Sequence, residues 1–393
     1  MDSRLDGEVL LTQLSGLADS QEVLPEPLRR VYLDSASGEP LHPAARRALS
    51  AALDAAYADP RRLHHTGRAA RLVLDNARAA TAEALGVRPE EVSFTGSGTE
   101  AVHRGLLGLH RGAGRRGTSI VHSAVEHSAV LHAAEWAGAP TRSVAVDATG
   151  RLRLDDLDVT DAAVVACQAA NHEVGTVQPV TEVAAAIGDV PLFVDACASA
   201  GRLDLPDGWA AAAASAHKWG GPPGVGILVV RRGARWRDPF PDDERSGERE
   251  SGFENVPAIL AAASALQAVV AQRATENART HALVGWIRRV VGGLENVEVV
   301  GDPSDRLPHV VTFSCLYVDG EALVTELDRL GFDVASGSAC TASSLEPSHV
   351  LAAMGALTHG NVRVSVGRET TDEDVERFLE VLPGAIERLR ARL

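Results

Sequence analysis

The sequence predicts an α/β protein in which a large unit built on a mainly parallel sheet is followed by a smaller α+β unit. Three observations carry this. From Val31 to Arg231, short apolar runs alternate with Ala/Leu/Arg-rich segments, the pattern of βαβ units with parallel strands. After about Ala258 the alternation gives way to one long helical stretch and then to widely spaced strands and helices. Apolar residues make up 45 % of the 393-residue chain while aromatics make up only 4 %, so the core is one of small aliphatics, as layered α/β folds use.

In the first part, strands are expected at Val92–Phe94, Ser119–His122, Ala162–Cys167, Leu192–Val194 and Val225–Val230, each a short apolar run bounded by turn residues. Helices are expected over Pro43–Tyr57, with Pro43 at its first position, and over Ala69–Leu85. The second part should open with a helical stretch over Ala258–Val299. A strand at Val310–Ser314, a helix at Glu321–Leu330, a strand at Asn361–Val366 and a terminal helix from Asp372 should follow. The polar stretch Asp238–Asn255 reads as a surface loop, long enough to serve a function or an interface. The expected domains are therefore residues 30–260, and residues 1–29 together with 261–393.

Acidic residues outnumber basic ones by 53 to 38, a net charge of −15. Such a chain repels phosphate backbones and anionic lipid surfaces, so neither nucleic acid nor membrane is expected as a partner. The N-terminal segment carries early acids and has no long apolar core. No run of about 18 uninterrupted apolar residues follows, and a soluble cytoplasmic protein is expected. Cys167, Cys197, Cys315 and Cys340 lie far apart without a CxxC or Cys/His cluster, which argues against a metal site and a disulfide framework.

Four segments carry chemistry. In SFTGSGTEAVHRGL a strand gives way to a glycine-rich turn and a helix start, where amides and the helix dipole favour an anion. Gly98 permits close approach and Thr99 adds a hydroxyl; an ordinary capped turn has the same appearance. In PLFVDACAS, Asp195 ends an apolar strand, where open sheets place ligand-binding side chains, although a helix-capping Asp also sits there. In ASAHKWGGPPGVG, Lys218 is hemmed in by small residues, and desolvation makes such a lysine a Schiff-base candidate. Together Thr99, Asp195 and Lys218 supply a phosphate cradle, an acid for a pyridinium nitrogen and an amine for an aldehyde, three of the needs of pyridoxal phosphate. His127, in VEHSAVL, is the candidate stacking ring. In SGSACTASSLEPSHVL, Cys340 has small polar neighbours that leave a thiol accessible. Cys167 and Cys197 read as core, and Cys315 is ambiguous.

Taken with VYLDSASGEPLHPAA and VRVSVGR, these segments resemble the cysteine desulfurases of the class V aminotransferase superfamily, over about nine-tenths of the chain. SGSACT is similar to the bacterial housekeeping and nitrogen-fixation branch. The resemblance implies a fold-type I pyridoxal-phosphate transferase, with a mainly parallel seven-stranded sheet between helices in the large domain. It implies that Lys218 holds pyridoxal 5'-phosphate, that Asp195 pairs with the ring nitrogen and that His127 stacks on the ring. Gly98, Thr99, Ser215 and His217 would serve the phosphate, and His172 would lie near the phenolic oxygen. Arg363 would pair with the carboxylate of L-cysteine, with Asp59 as a further substrate-side residue. Cys340 would take the sulfur as a persulfide, release L-alanine and pass sulfur to an acceptor protein. A homodimer is implied as well.

The chain departs from the family pattern at several positions. His172 stands where a second Asn is usual, Ala198 where Gln is common, Glu250 and Phe253 where Arg and Thr are usual, and Asp59 where Asn is usual. These departures keep two alternatives open: a related lyase acting on selenocysteine or cysteine sulfinate, and a weakened homologue that serves as a partner for a sulfur carrier.

Overall fold

The computed structural model describes residues 29–114, 116–241, 249, 252–336 and 347–392. Strand β1 (Val31–Tyr32) stands outside the main sheet. That sheet has seven strands: β2 (Val92–Thr95), β3 (Ser119–Ser123), β4 (Thr141–Val144), β5 (Ala162–Gln168), β6 (Leu192–Asp195), β7 (Ala211–Ser215) and β8 (Gly226–Val230). Their order is β2-β8-β7-β6-β5-β3-β4. Only β8 runs against its neighbours; every other pairing is parallel. The connection 216–225 is too short for a helical crossover, so β8 must return antiparallel to β7.

Side chains alternate between the two faces, as a period of two requires. Val165, Cys167, Leu192, Val194, Ile227 and Val229 face one apolar cluster. It includes α1 (Pro43–Ala55), α2 (His65–Leu85) and the first half of the long helix counted below as α6. Val164, Ala166, Phe193, Leu228 and Val230 face the other, which includes α3 (Gly98–Ala113) and α4 (Ser128–Trp136). Strands buried on both faces read as continuous apolar runs, which explains why β5 and β6 are legible in the sequence. A short α5 (Val180–Ala186) leads into β6, and α6 spans Val256–Val291.

The second part forms an antiparallel sheet of β9 (Val297–Val300), β10 (Val310–Cys315) and β12 (Asn361–Ser365), in the order β12-β10-β9. Helices α7 (Gly320–Arg329), α8 (His349–Met354) and α9 (Asp372–Arg390) accompany it, and β11 (Phe332–Asp333) pairs in parallel with β1. Here the apolar cluster joins Leu283 to Val291 of α6 with Phe313, Phe332, Val364 and Phe378. The boundary expected at residue 260 thus falls inside α6, which reaches both clusters. Of residues 1–29 only Arg29 is described; its guanidinium pairs with Asp374 at 2.9 Å.

Helix α6 ends at Val291 rather than at Val299, since Gly292 and Gly293 follow and Asn296 takes a positive φ of 55°. Val297–Val300 is instead the strand β9. The strand β7 was hidden in a run of alanines, whose helical propensity is overridden by burial between β6 and β8. Among the described helices α6 alone is long and apolar enough to cross a membrane. Its apolar side chains, from Val256 to Leu266 and from Leu283 to Val291, contribute to the two clusters already named.

Gly105 sets how closely α3 lies on the sheet: a Cβ there would meet the buried Phe193 ring, with Leu228 Cδ1 at 3.2 Å. Gly105→Ala gains roughly 1 kcal/mol of helix propensity but overpacks this contact at about 1–3 kcal/mol. A lowered urea midpoint with an unchanged m-value is expected; an equal or higher midpoint would show that α3 can lift off the sheet freely.

Candidate active site

The C-terminal ends of the parallel strands open onto a cavity of about 260 Å³, where open α/β sheets bind ligands. Ser37, Gly98, Thr99, His127, Gln168, His172, Asp195, Cys197, Ala198, Ser215, His217, Lys218 and Arg363 all contribute to its wall. Residues from six separate segments that the sequence analysis singled out, around positions 98, 127, 172, 195, 218 and 363, therefore meet in one place.

One end of the cavity is built for an anion. Ser97 caps α3, its side-chain oxygen accepting the Glu100 N–H at 3.0 Å. Gly98 and Thr99, which open α3, line the cavity, and the first N–H groups of a helix have no intrahelical partner and favour an anion. A Cβ on Gly98 would lie 2.6 Å from Ser215 Cβ and 3.2 Å from Cys197 Sγ, so glycine is required for the close approach of α3 to the end of β7. Ser215 Oγ and His217 Nδ1 are 3.0 Å apart. Burial, and then the Lys218 charge, lower the His217 pKa to about 4, so its imidazole is neutral at physiological pH.

The two cations of the site are held by the same turn. Lys218 follows β7 in a short 3₁₀ turn, and its Nζ donates to the carbonyl oxygens of Ala36 at 2.6 Å and Ser37 at 3.2 Å. Arg363 projects from β12 and is almost wholly buried. Its Nη2 donates to Asp34 Oδ1 at 3.0 Å and to Ser37 Oγ at 2.6 Å, and its Nη1 donates to the His172 carbonyl at 3.0 Å. Its Nε is buried without a partner.

Asp195, 6 % exposed, ends β6 with Oδ1 accepting the Cys197 N–H at 2.9 Å. Nδ1 of His127 accepts the Ala129 N–H at 3.1 Å and caps α4, which places the proton of the neutral ring on Nε2. Its ring meets the His172 ring edge-on, with centroids 4.9 Å apart and planes at 72°. Burial lowers both histidines, His172 the more strongly, and His172 Nδ1 has no partner.

Asp59 is not in the cavity wall. Its Oδ1 accepts the Arg61 N–H at 2.9 Å and its Oδ2 pairs with Arg62 at 3.2 Å, so it shapes its own loop. Cys197, read from sequence as core, instead lines the cavity. Burial pushes the thiols of Cys167, Cys197 and Cys315 up, the last to about 12. None of the three is a thiolate near neutral pH. Cys340 and Glu250 lie outside the described residues.

Sequence reasoning passed over Asp34, Ser37, Gln168, Glu126 and Glu173. Asp34 and Ser37 lie inside the segment VYLDSASGEPLHPAA, Gln168 follows the strand expected at Ala162–Cys167, and Glu126 and Glu173 stand next to His127 and His172, so an acid beside an expected ring was the available signal for the last two. Glu126 is fully buried beside His127. Its Oε1 accepts the Gln168 N–H at 2.8 Å and its Oε2 has no partner. Burial and then the Asp195 charge raise its pKa to about 8. Glu173 accepts the Ser348 hydroxyl at 2.8 Å, and burial raises it to about 7.

The aminotransferase class-V family model matches residues 31–378. The chain is 34 % identical over 377 residues to the cysteine desulfurase IscS of Dictyoglomus turgidum, covering 92 % of this chain and 96 % of that one. It is 36 % identical over 383 residues to an IscS-like cysteine desulfurase of Mycobacterium tuberculosis, covering 91 % and 97 %. A solved NifS-like protein superposes with a TM-score of 0.84 at 27 % identity, over 92 % of this chain and all of the other.

The fully buried Glu126 gives a pH prediction. In the unfolded chain its proton leaves near 4.5, and in the folded protein near 8. Between these values the folded state holds the extra proton, so this group's contribution to stability is full below 4.5 and lost as pH rises through 8. Glu126→Gln should therefore gain stability relative to the wild type on going from pH 5 to pH 8.5, by at least about 1 kcal/mol. Parallel denaturation curves at both pH values would show that the carboxyl is not held protonated.

Proposed function

We propose that this chain, which belongs to the aminotransferase class V family, is a pyridoxal-phosphate-dependent cysteine desulfurase that converts L-cysteine to L-alanine and passes the sulfur to an acceptor protein. The observation that carries the reading is the meeting of Lys218, Asp195, Arg363 and the glycine-rich start of α3 in one cavity. The residues present fit the cofactor. The wall offers an anion cradle that a Cβ at Gly98 would fill, an amine at Lys218, a carboxylate at Asp195 and an imidazole at His127. It also has an orphaned buried nitrogen on His172.

In this reading the α3 amides, Thr99, Ser215 and His217 hold the phosphate, Asp195 pairs with the ring nitrogen, and His127 lies against the ring. Pyridoxal phosphate, when bound, supplies the electron sink that makes bonds around the substrate α-carbon labile. Lys218 holds the cofactor and moves protons at its Nζ. Arg363 binds the substrate carboxylate through a charge-assisted contact. Cys340 forms a bond to the substrate sulfur while the substrate Cβ–S bond breaks. Cys340 gives up its thiol proton, the electron pair of the Cβ–S bond stays on the carbon side, the substrate sulfur becomes the outer persulfide sulfur, and Cβ takes up a proton and ends as the methyl group of alanine.

A second copy of this chain completes the proposal. Tyr57 is 68 % and Leu63 87 % exposed, and Leu53, Leu72 and Phe253 are exposed too. The loop carrying Leu63 is tied to the segment carrying Phe253 by Arg61, which donates to the Gly252 carbonyl at 2.8 Å and pairs with Glu254 at 2.9 Å. An apolar surface so concentrated marks an interface, and the resemblance places the partner's cofactor phosphate near position 253. Light scattering should give a dimer mass, and Leu63→Glu with Phe253→Glu should lower it to a monomer. A monomeric wild type would exclude this interface.

Purified protein should carry a visible cofactor absorbance that changes on adding cysteine, with alanine formed. Lys218→Ala should lose the absorbance and all turnover. Cys340→Ser should keep the absorbance and its response to cysteine but form no persulfide, since a hydroxyl cannot take the sulfur. A colourless wild type that forms no alanine would favour the carrier-binding homologue. Activity on cysteine sulfinate or selenocysteine alone would favour the related lyase.

A further inference from the structure

The substrate role just given to Arg363 meets an obstacle in its own hydrogen bonds. A guanidinium offers a carboxylate two edges with paired N–H groups, one formed by Nη1 and Nη2 and the other by Nη2 and Nε. Both edges need Nη2. In this protein Nη2 already donates to Asp34 Oδ1 and Ser37 Oγ, at 3.0 and 2.6 Å. Ser37 Oγ in turn donates to the same Asp34 oxygen at 2.9 Å, closing a three-membered ring of contacts. A substrate carboxylate that takes either edge in bidentate fashion must therefore compete with this ring for Nη2.

We infer that Asp34 is a resident counter-ion of Arg363, one that competes with the substrate carboxylate and sets how tightly the site holds substrate and product. The inference rests on Arg363 being the carboxylate site. The Asp34 backbone is fixed: it bridges to Ser365, and its carbonyl accepts the N–H groups of Ser37 and Gly38 and the Tyr32 hydroxyl. Its side chain is the movable part, and it retains some exposure to water, at 21 %. When a substrate carboxylate arrives, Nη2 exchanges one carboxylate for another and the Asp34 charge is left as a like-charged neighbour. Nη1 stays anchored on the His172 carbonyl throughout, so Arg363 keeps its place while its partner changes. Asp34 acts through Arg363 and is a positioning residue. It keeps the buried guanidinium neutralised between turnovers and weakens the grip on the product, which carries the same carboxylate.

The test replaces the charge and keeps the acceptor. In the cofactor-loaded enzyme, Asp34→Asn retains an oxygen for Nη2 and for Ser37 Oγ. It should lower both the cysteine KM and the inhibition constant of L-alanine by about three- to tenfold. Cysteamine, which has the thiol and amine but no carboxylate, should inhibit both proteins equally. Asp34→Ser, also neutral, should move the constants in the same direction and stands in if the Asn variant fails to fold; bound-cofactor absorbance reports integrity. Arg363→Ala should raise both constants strongly. If Arg363→Ala raises them while both Asp34 variants leave them unchanged or higher, Asp34 is only structural and the inference is wrong. If Arg363→Ala leaves them unchanged, the carboxylate reading of Arg363 fails and the inference falls with it.

Discussion

The site depends on how two cations, the buried Arg363 and the half-buried Lys218, are kept in one cavity. Lys218 and Arg363 would repel each other, and neither has a carboxylate of its own on the element that carries it. The turn 34–37 resolves this from outside the main sheet. Its carbonyls at Ala36 and Ser37 take the Lys218 ammonium, and its Asp34 carboxylate and Ser37 hydroxyl take Arg363. The turn follows β1, which pairs with β11, and Asp34 bridges to Ser365 at the end of β12. A segment that belongs to neither of the two larger sheets thus ties the end of β7 to the end of β12. Its pairing with the second part of the chain fixes where the cavity closes.

The remaining polar groups follow from the charge balance around that turn. The desolvated histidines 127, 172 and 217 are lowered in pKa and stay neutral, so they add no positive charge beside Lys218 and Arg363. The acids behind them, Glu126 and Glu173, are raised to about 8 and about 7, and Asp195 ends β6 at the cavity wall. Burial does both jobs, because it disfavours whichever form is charged. Glu173 and the Glu126 backbone also reach the start of α8. Ser348 donates to the Glu173 carboxyl, and the His349 ring meets the Glu126 carbonyl at 2.9 Å. The turns that carry His127 and His172 are therefore the same turns on which α8 docks, through a small apolar cluster of Val125, Val174, Val350, Leu351 and Met354.

Much of this was legible because the relevant patterns are local. An apolar run ending in Asp195, a glycine-rich turn before α3, and a lysine among small residues each state a local requirement, and the sheet brings them together. The parallel core strands were legible because burial on two faces leaves continuous apolar runs. The strand β7 was not, since a run of alanines has no period to read and only its neighbours make it a strand. The acids Asp34, Glu126 and Glu173 were not legible as site residues either. Their roles depend on partners far away in the sequence: Arg363 for Asp34, Gln168 for Glu126, and Ser348 for Glu173. Asp59 shows the converse, a position that the resemblance placed with the substrate and that the structure uses to hold its own loop.

The departures at 172 and 198 are better understood as one exchange than as two losses. Ala198 removes a long polar side chain from the cavity wall, and His172 adds a ring to the same wall. The ring meets His127 edge-on, and the backbone that carries it is held by the bond from Arg363 to the His172 carbonyl. Neutral imidazole keeps one donor nitrogen and one acceptor nitrogen, so the wall retains a hydrogen-bonding group after Gln is gone. What changes is its rigidity: a packed ring loses less freedom on binding than a flexible amide chain, whose rotamers must be frozen. His172 also joins two parts of the wall, since its ring meets His127 and its carbonyl accepts from Arg363. A side chain that moved this backbone would disturb Arg363 and the ring contact together, so position 172 constrains both ends of the cavity at once.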